Sequence, residues 1–108
     1  MWKSDMPAIL YVRAKSSIED RDELERRLLE RKPKFLDVPG LIQKVYGEDP
    51  ETGEFCGIYF FESKEDLGRF AQSELAQTIG SAYEVTSIRK EVYNTLYSLR
   101  PENGPLTI

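Results

Sequence analysis

Four short segments of the chain bring aromatic rings and cations together at alternate positions. They supply Tyr11 and Arg13, then Lys44 and Tyr46, then Tyr59 and Phe61, then Arg89 and Tyr93. Alternation of this kind places residues on one side of a β-strand. If the strands pair in matching register, all eight share one sheet face. Such a face could line a pocket for a planar ligand. Tyrosine hydroxyls and arginine forks suit carbonyl, phenol or carboxylate groups. The plainer alternative is that these tyrosines and arginines run past a sheet edge and keep their polar tips in water.

The complementary positions are Leu10, Val12, Val45, Ile58, Phe60, Ile88 and Val92. They are uniformly apolar and read as a dry core or an interface. Other chemical residues carry less. Cys56 sits in an apolar segment with no histidine to activate it, so an inert, buried thiol is expected. Glu62, Glu84 and Glu91 show no distinctive spacing and read as solvated carboxylates. Trp2 lies upstream of the first strand and supports no site.

The composition excludes several functions. Among 108 residues there is no histidine and one cysteine. That removes Ser-His and Cys-His nucleophile systems, histidine-ligated haem, the usual zinc sites and an internal disulfide. No metal and no cofactor are expected. The net charge is −4 with both signs interspersed, so nucleic-acid binding is not expected. No apolar run approaches the roughly 20 residues of a membrane span, and the N-terminus lacks secretory features. A cytoplasmic location follows as the default. With 40% hydrophobic residues the chain reads as one globular domain over residues 1–108. Its core spans about 6–99, with a turn-rich tail over 100–108.

These side chains need elements to hold them. MPAILYVRA, Met6 to Ala14, reads as a strand. SSIED leads into a helix from Arg21 to about Arg31, capped by Ser17 or Asp20. Leu24, Leu28 and Phe35 fall on one face. Pro33 kinks or ends that helix, and DVPG stops it. LIQKVYGE, Leu41 to Glu48, is a second strand. The turn DPETGE joins it to a third, Phe55 to Phe61, as a hairpin. Ser63 to Asp66 is a capping-box pattern opening a second helix with Leu67, Phe70, Ala71 and Leu75 on its stripe. A fourth strand runs from roughly Glu84 to Asn94.

The order β-α-β-β-α-β predicts an α+β, ferredoxin-like fold. One antiparallel four-stranded sheet would carry two helices on a single face. The other face keeps large apolar residues that water would expose, so pairing with a second copy as a homodimer is expected.

PGLIQKVYGED and CGIYFFESKEDLGRF then resemble the dimeric α+β barrel superfamily, in particular its monooxygenase branch related to antibiotic-biosynthesis monooxygenases. The matching residues are Pro39, Gly40, Leu41, Lys44, Val45 and Tyr46, then Gly57, Ile58, Tyr59, Phe61, Ser63 and Leu67. Cys56 stands where the first glycine of a pair is common. The resemblance implies that two subunits pack their sheets into a barrel, with a ligand pocket between sheet and helices. It also implies cofactor-free oxygenation of a small phenolic or quinol substrate. Haem degradation is not implied, since that needs a histidine ligand. Other relatives place Asn, Trp and Tyr around the pocket. This chain offers tyrosines and, before the tail, only Asn94.

On this basis Tyr59 and Arg89 are the candidate catalytic residues. Arg89 or Arg13 would stabilise a developing oxyanion, and Tyr59 or Tyr11 would orient the substrate or relay a proton. Tyr11, Arg13, Tyr46, Phe61 and Tyr93 are the candidate substrate-binding residues. Two alternatives remain: a small-molecule binding or sensing dimer without catalysis, and an isomerase or cyclase on the same scaffold.

Overall fold

A computed structural model describes residues 6–106; Trp2 lies outside the described residues. Four strands form one antiparallel sheet in the order β2-β3-β1-β4: β1 Ala8–Ser16, β2 Leu41–Glu48, β3 Phe55–Phe61 and β4 Val85–Asn94. Helix α1, Arg21–Arg31, follows β1. The helices α2 Lys64–Ala71, α3 Glu74–Gln77 and α4 Ile79–Ala82 lie between β3 and β4. This is the ferredoxin-like α+β arrangement that the element order predicts.

Local chemistry sets each boundary. Asp20 caps α1 by accepting the Asp22 N–H at 3.0 Å, and Asp22 and Glu23 occupy the positive end of the helix. Pro33 does not kink α1. The chain tightens into a 3-10 turn over Lys32–Asp37, which turns Phe35 into the core. Leu24 and Phe35 are therefore both buried but in different clusters, Leu24 with Phe55, Ile79 and Tyr83, and Phe35 with Tyr59, Phe61 and Phe70. Gly40 adopts φ 75 at the entry to β2, and a Cβ there would run into the Asp66 carboxylate.

The β2–β3 hairpin closes on Asp49. Its carboxylate accepts the N–H groups of Glu51 and Thr52, with Gly53 at φ 76. Ser63 Oγ accepts the Asp66 N–H at 3.1 Å and starts α2. The expected second helix does not run on to Leu75. It ends at Gln72, and Ser73 caps a fresh start by accepting the Ala76 N–H at 3.2 Å. Ala71 is consequently exposed.

The register rearranges the expected faces. Leu10 stands opposite Tyr59 on one side and Val92 on the other, and Lys44 stands opposite Tyr59. The helix-covered face therefore carries Ala8, Leu10, Val12 and Ala14 with Phe55, Gly57, Tyr59 and Phe61, and with Lys44 and Tyr46. The open face carries Ile9, Tyr11 and Arg13 with Cys56, Ile58 and Phe60, and with Arg89 and Tyr93. The eight aromatic and cationic positions do not share one face. Tyr59 and Phe61 point under the helices, and Ile58 and Phe60 point away. Cys56 is half-buried on the open face, its Sγ leaning over Gly47, where a Cβ would lie 2.8 Å away.

Candidate active site

Lys44 projects from β2 into the layer between sheet and helices. Its Nζ lies 3.4 Å from the ring centroid of Phe35, 4.2 Å from that of Tyr46 and 4.5 Å from that of Tyr59. The three rings come from the 3-10 turn, β2 and β3. Phe35 reaches the site only because Pro33 ends α1. Tyr59 is fixed in turn by neighbouring rings. Phe70 lies 5.1 Å from it, Phe35 6.1 Å, and Phe61 stacks on it at 6.1 Å with an interplanar angle of 8°.

Gly57, next to Tyr59 on the same face, makes this packing possible. A Cβ on Gly57 would lie 3.1 Å from Tyr59 Cε1 and 3.2 Å from Lys44 Cε. The glycine gives space to two side chains of the site, with no bulge in the ladder at that position.

A small cavity of about 20 Å³ remains beside the cage, room for about one water molecule. Val12, Leu28, Ile79 and Phe55 form its apolar walls, and Lys44, Tyr46, Tyr59 and Tyr83 supply its polar groups. Leu28, Tyr46 and Phe55 are shared with a groove of about 220 Å³ between α1 and β2, which Arg21, Glu25 and Glu48 border on the outside. Leu28, Tyr46 and Phe55 thus form a wall common to the cavity and the groove.

The electrostatics are one-sided. No carboxylate lines the cavity, and Lys44 has no salt bridge among the described residues. Burial pushes the Lys44 pKa down to about 7, with Arg31 adding a smaller repulsion. The ring faces act the other way and favour the ammonium form. Burial also raises Tyr46 to about 12 and moves Tyr59 and Tyr83 upward. Arg31 lies over the Tyr83 ring at 5.4 Å and donates to Leu75 O and Thr78 Oγ1. Among the described residues the buried Tyr83 hydroxyl has no hydrogen-bond partner of good geometry, and nearby Arg31 only partly offsets the rise that burial causes.

Tyr59, Tyr46 and Phe61 are therefore brought to this layer. Arg89, Arg13, Tyr11 and Tyr93 lie across the sheet, and no single ligand within one subunit can touch both Tyr59 and Arg89. Arg13 and Arg89 stand directly opposite each other between β1 and β4. Both border an open concavity of about 460 Å³ with Glu54, Ser87 and Ile88. Although larger, it is a polar surface hollow whose charge is already balanced. Arg13 donates to Asp49 at 2.5 Å and Glu54 at 2.8 Å, and these carboxylates raise its pKa. The half-buried cation, ringed by aromatic faces and with no salt bridge among the described residues, makes the sheet–helix cavity the better candidate. Lys44 belongs to the alternating set and to the residues that carry the family resemblance, but neither gives it a role in a site. Its role shows only when Phe35 closes over it. Tyr83 and Arg31 carry no sequence signal of a site. Among the described residues no group of three or more His, Cys, Asp or Glu is placed to hold a metal ion, and no helix is long and apolar enough to cross a membrane.

An antiparallel four-stranded sheet with helices on one face and an aromatic cavity between the layers defines a ferredoxin-like α+β domain. Residues 9–101 match the family described as "Putative mono-oxygenase ydhR", and the chain belongs to that family. The fold is shared with a "Putative antibiotic biosynthesis monooxygenase from Nitrosomonas europaea", 10% identical, with 90% of this chain and 97% of that one covered at a TM-score of 0.72. Proteins described in the same words from Caulobacter crescentus and Deinococcus radiodurans are each 14% identical. The first covers 86% of this chain and 92% of its own at a TM-score of 0.71. The second covers 85% and 95% at 0.70. No curated protein matches the chain.

Proposed function

We propose that the protein is a cofactor-independent monooxygenase for a small, electron-rich aromatic substrate, working as a homodimer. The observation that carries this is the caged Lys44 beside Tyr46, Tyr59 and Tyr83, in a chain of a mono-oxygenase family. The substrate ring enters the α1–β2 groove and moves the Tyr46 ring aside. Deprotonation makes the ring carbon electron-rich enough to react with dioxygen itself. A ring CH₂ becomes C=O; one oxygen atom enters the product, and the other leaves as water with the two substrate hydrogens. The buried Tyr59 and Tyr83 hydroxyls orient the substrate oxygen, and the Lys44 charge stabilises the oxyanion.

The homodimer is supported by the open face. Ile9, Tyr11, Ile58, Phe60 and Tyr93 form an apolar surface there that the helices do not cover. A second copy would bury it and enclose Arg13 and Arg89 at the interface.

The test is dioxygen uptake by the metal-free protein on a panel of anthrones and hydroquinones. Uptake with conversion of an anthrone's ring CH₂ to the ketone is expected; oxidation of a hydroquinone to its quinone inserts no oxygen atom and would not support the reading. The closed cavity of about 20 Å³ favours one second reading, a binding or sensing protein whose pocket opens only for its ligand. Tight binding across the panel without uptake would establish that reading instead.

A further inference from the structure

We propose that Lys44 makes the site selective for acidic ring compounds, phenols or enols, which bind as their anions with Lys44 Nζ taking the proton. The inference rests on the aromatic-ligand reading above, but concerns which aromatic is accepted and not whether oxygen reacts.

Three observations carry it. Lys44 Nζ is enclosed by Phe35, Tyr46 and Tyr59 and meets no carboxylate. Lys44 is half-buried, and a partly desolvated charge without a counterion carries a cost that an anion delivered by a ligand removes. The Tyr83 hydroxyl, in a residue only 2% exposed, has no hydrogen-bond partner of good geometry among the described residues, with Arg31 as its neighbouring cation. It can donate to the same ligand oxygen. Finally, the other charged group facing Lys44 is Arg31 on α1, again a cation. From β2 and β3 the titratable groups are Tyr46 and Tyr59, both raised by burial and neutral near pH 7. The acids Glu25 and Glu48 border only the outer groove, beside Arg21, which pairs with both.

The proton balance is simple. The ligand O–H bond breaks, its proton forms the third N–H of Lys44, and an oxyanion–ammonium pair results. Because Lys44 is easily deprotonated in the free protein, neutral protein plus neutral ligand is an accessible starting state. Neither solvent base nor cofactor is needed. A neutral ring of the same shape gains none of this.

The probe is 4-nitrophenol, whose anion absorbs visible light where its neutral form does not. At a pH below the ligand's own pKa, adding protein is expected to raise the anion band, with 4-nitroanisole as the neutral control. Lys44→Met should weaken nitrophenol binding by about 30-fold or more and abolish the band. It should change nitroanisole binding less than about twofold, since the aliphatic stem is kept. Far-UV circular dichroism verifies that this variant is folded. Tyr83→Phe, a milder change, should lower the band without removing it. Nitroanisole binding as well as nitrophenol, with no anion band, would overturn the proposal and leave the aromatic site standing. If neither ring binds, the aromatic reading falls together with it.

Discussion

Lys44 and Tyr59 face each other across the β2–β3 ladder, with the ammonium nitrogen 4.5 Å from the centroid of the tyrosine ring. Strand register, more than side-chain flexibility, fixes this pair. The charge of Lys44 is thereby coupled to folding. Its folded pKa of about 7 lies below the unfolded value of 10.5. The unfolded chain therefore binds more protons between these two values, and stability rises with pH across that window. The penalty is fully present below about pH 7. It amounts to roughly 2–4 kcal/mol once the ring faces and partial solvation are set against desolvation. Urea denaturation from pH 7 to 9.5 should show this rise in the wild type and a flatter profile in Lys44→Met. Staying below pH 10 keeps the buried tyrosines neutral, since their raised pKa values would lower stability at higher pH.

Gly57→Ala should disturb the site without dismantling the sheet. The new methyl group presses on Tyr59 and Lys44 together, and overpacking of this kind costs about 1–3 kcal/mol. Thermal unfolding should report the loss. Titration with 4-nitrophenol should show weakened binding even in the folded population.

Tyr59→Phe and Arg89→Met separate the two sheet faces. Removing the Tyr59 hydroxyl should lower dioxygen uptake by about tenfold or more. Arg89→Met should leave the rate per folded dimer within about twofold, because Arg89 points to the other side of the sheet. A large loss with Arg89→Met would place the chemistry on the open face.

Ser63→Ala removes the cap of α2, which accepts the Asp66 N–H, and should cost about 1 kcal/mol by chemical denaturation. Ligand affinity should be unchanged, since α2 contributes no polar group to the cavity.

Phe60→Asp and Ile58→Lys place charges on the uncovered apolar face. Each should convert a dimer to a monomer in sedimentation velocity. A wild-type protein that sediments as a monomer at every concentration would remove the proposed assembly.

The elements were legible because their signals are local. β2 and β3 begin and end where alternation and the DPETGE turn place them, Ser63 caps as its spacing predicts, and of the two expected caps for α1 it is Asp20 that serves. The faces were not legible, for a specific reason. Odd and even positions alternate within a strand, but loop lengths decide which parity of one strand meets which of the next. Leu10 pairs with Tyr59, so even residues of β1 share a face with odd residues of β3. Hydrophobicity could not correct this, because FCGIYFF is apolar on both sides. A strand apolar on both sides is itself informative, as it expects cover on both. The cage was hidden for another reason. Phe35 joins it through a 3-10 turn whose direction follows from Pro33 ending α1.

The placement of Cys56 has a practical use. The protein's only thiol leans over Gly47 from a half-buried position on β3, and Cys56 also borders the small cavity beside the cage. A maleimide dye attached there would mark every chain at a single known point. Its reaction rate, followed against protein concentration, would time the meeting of two chains.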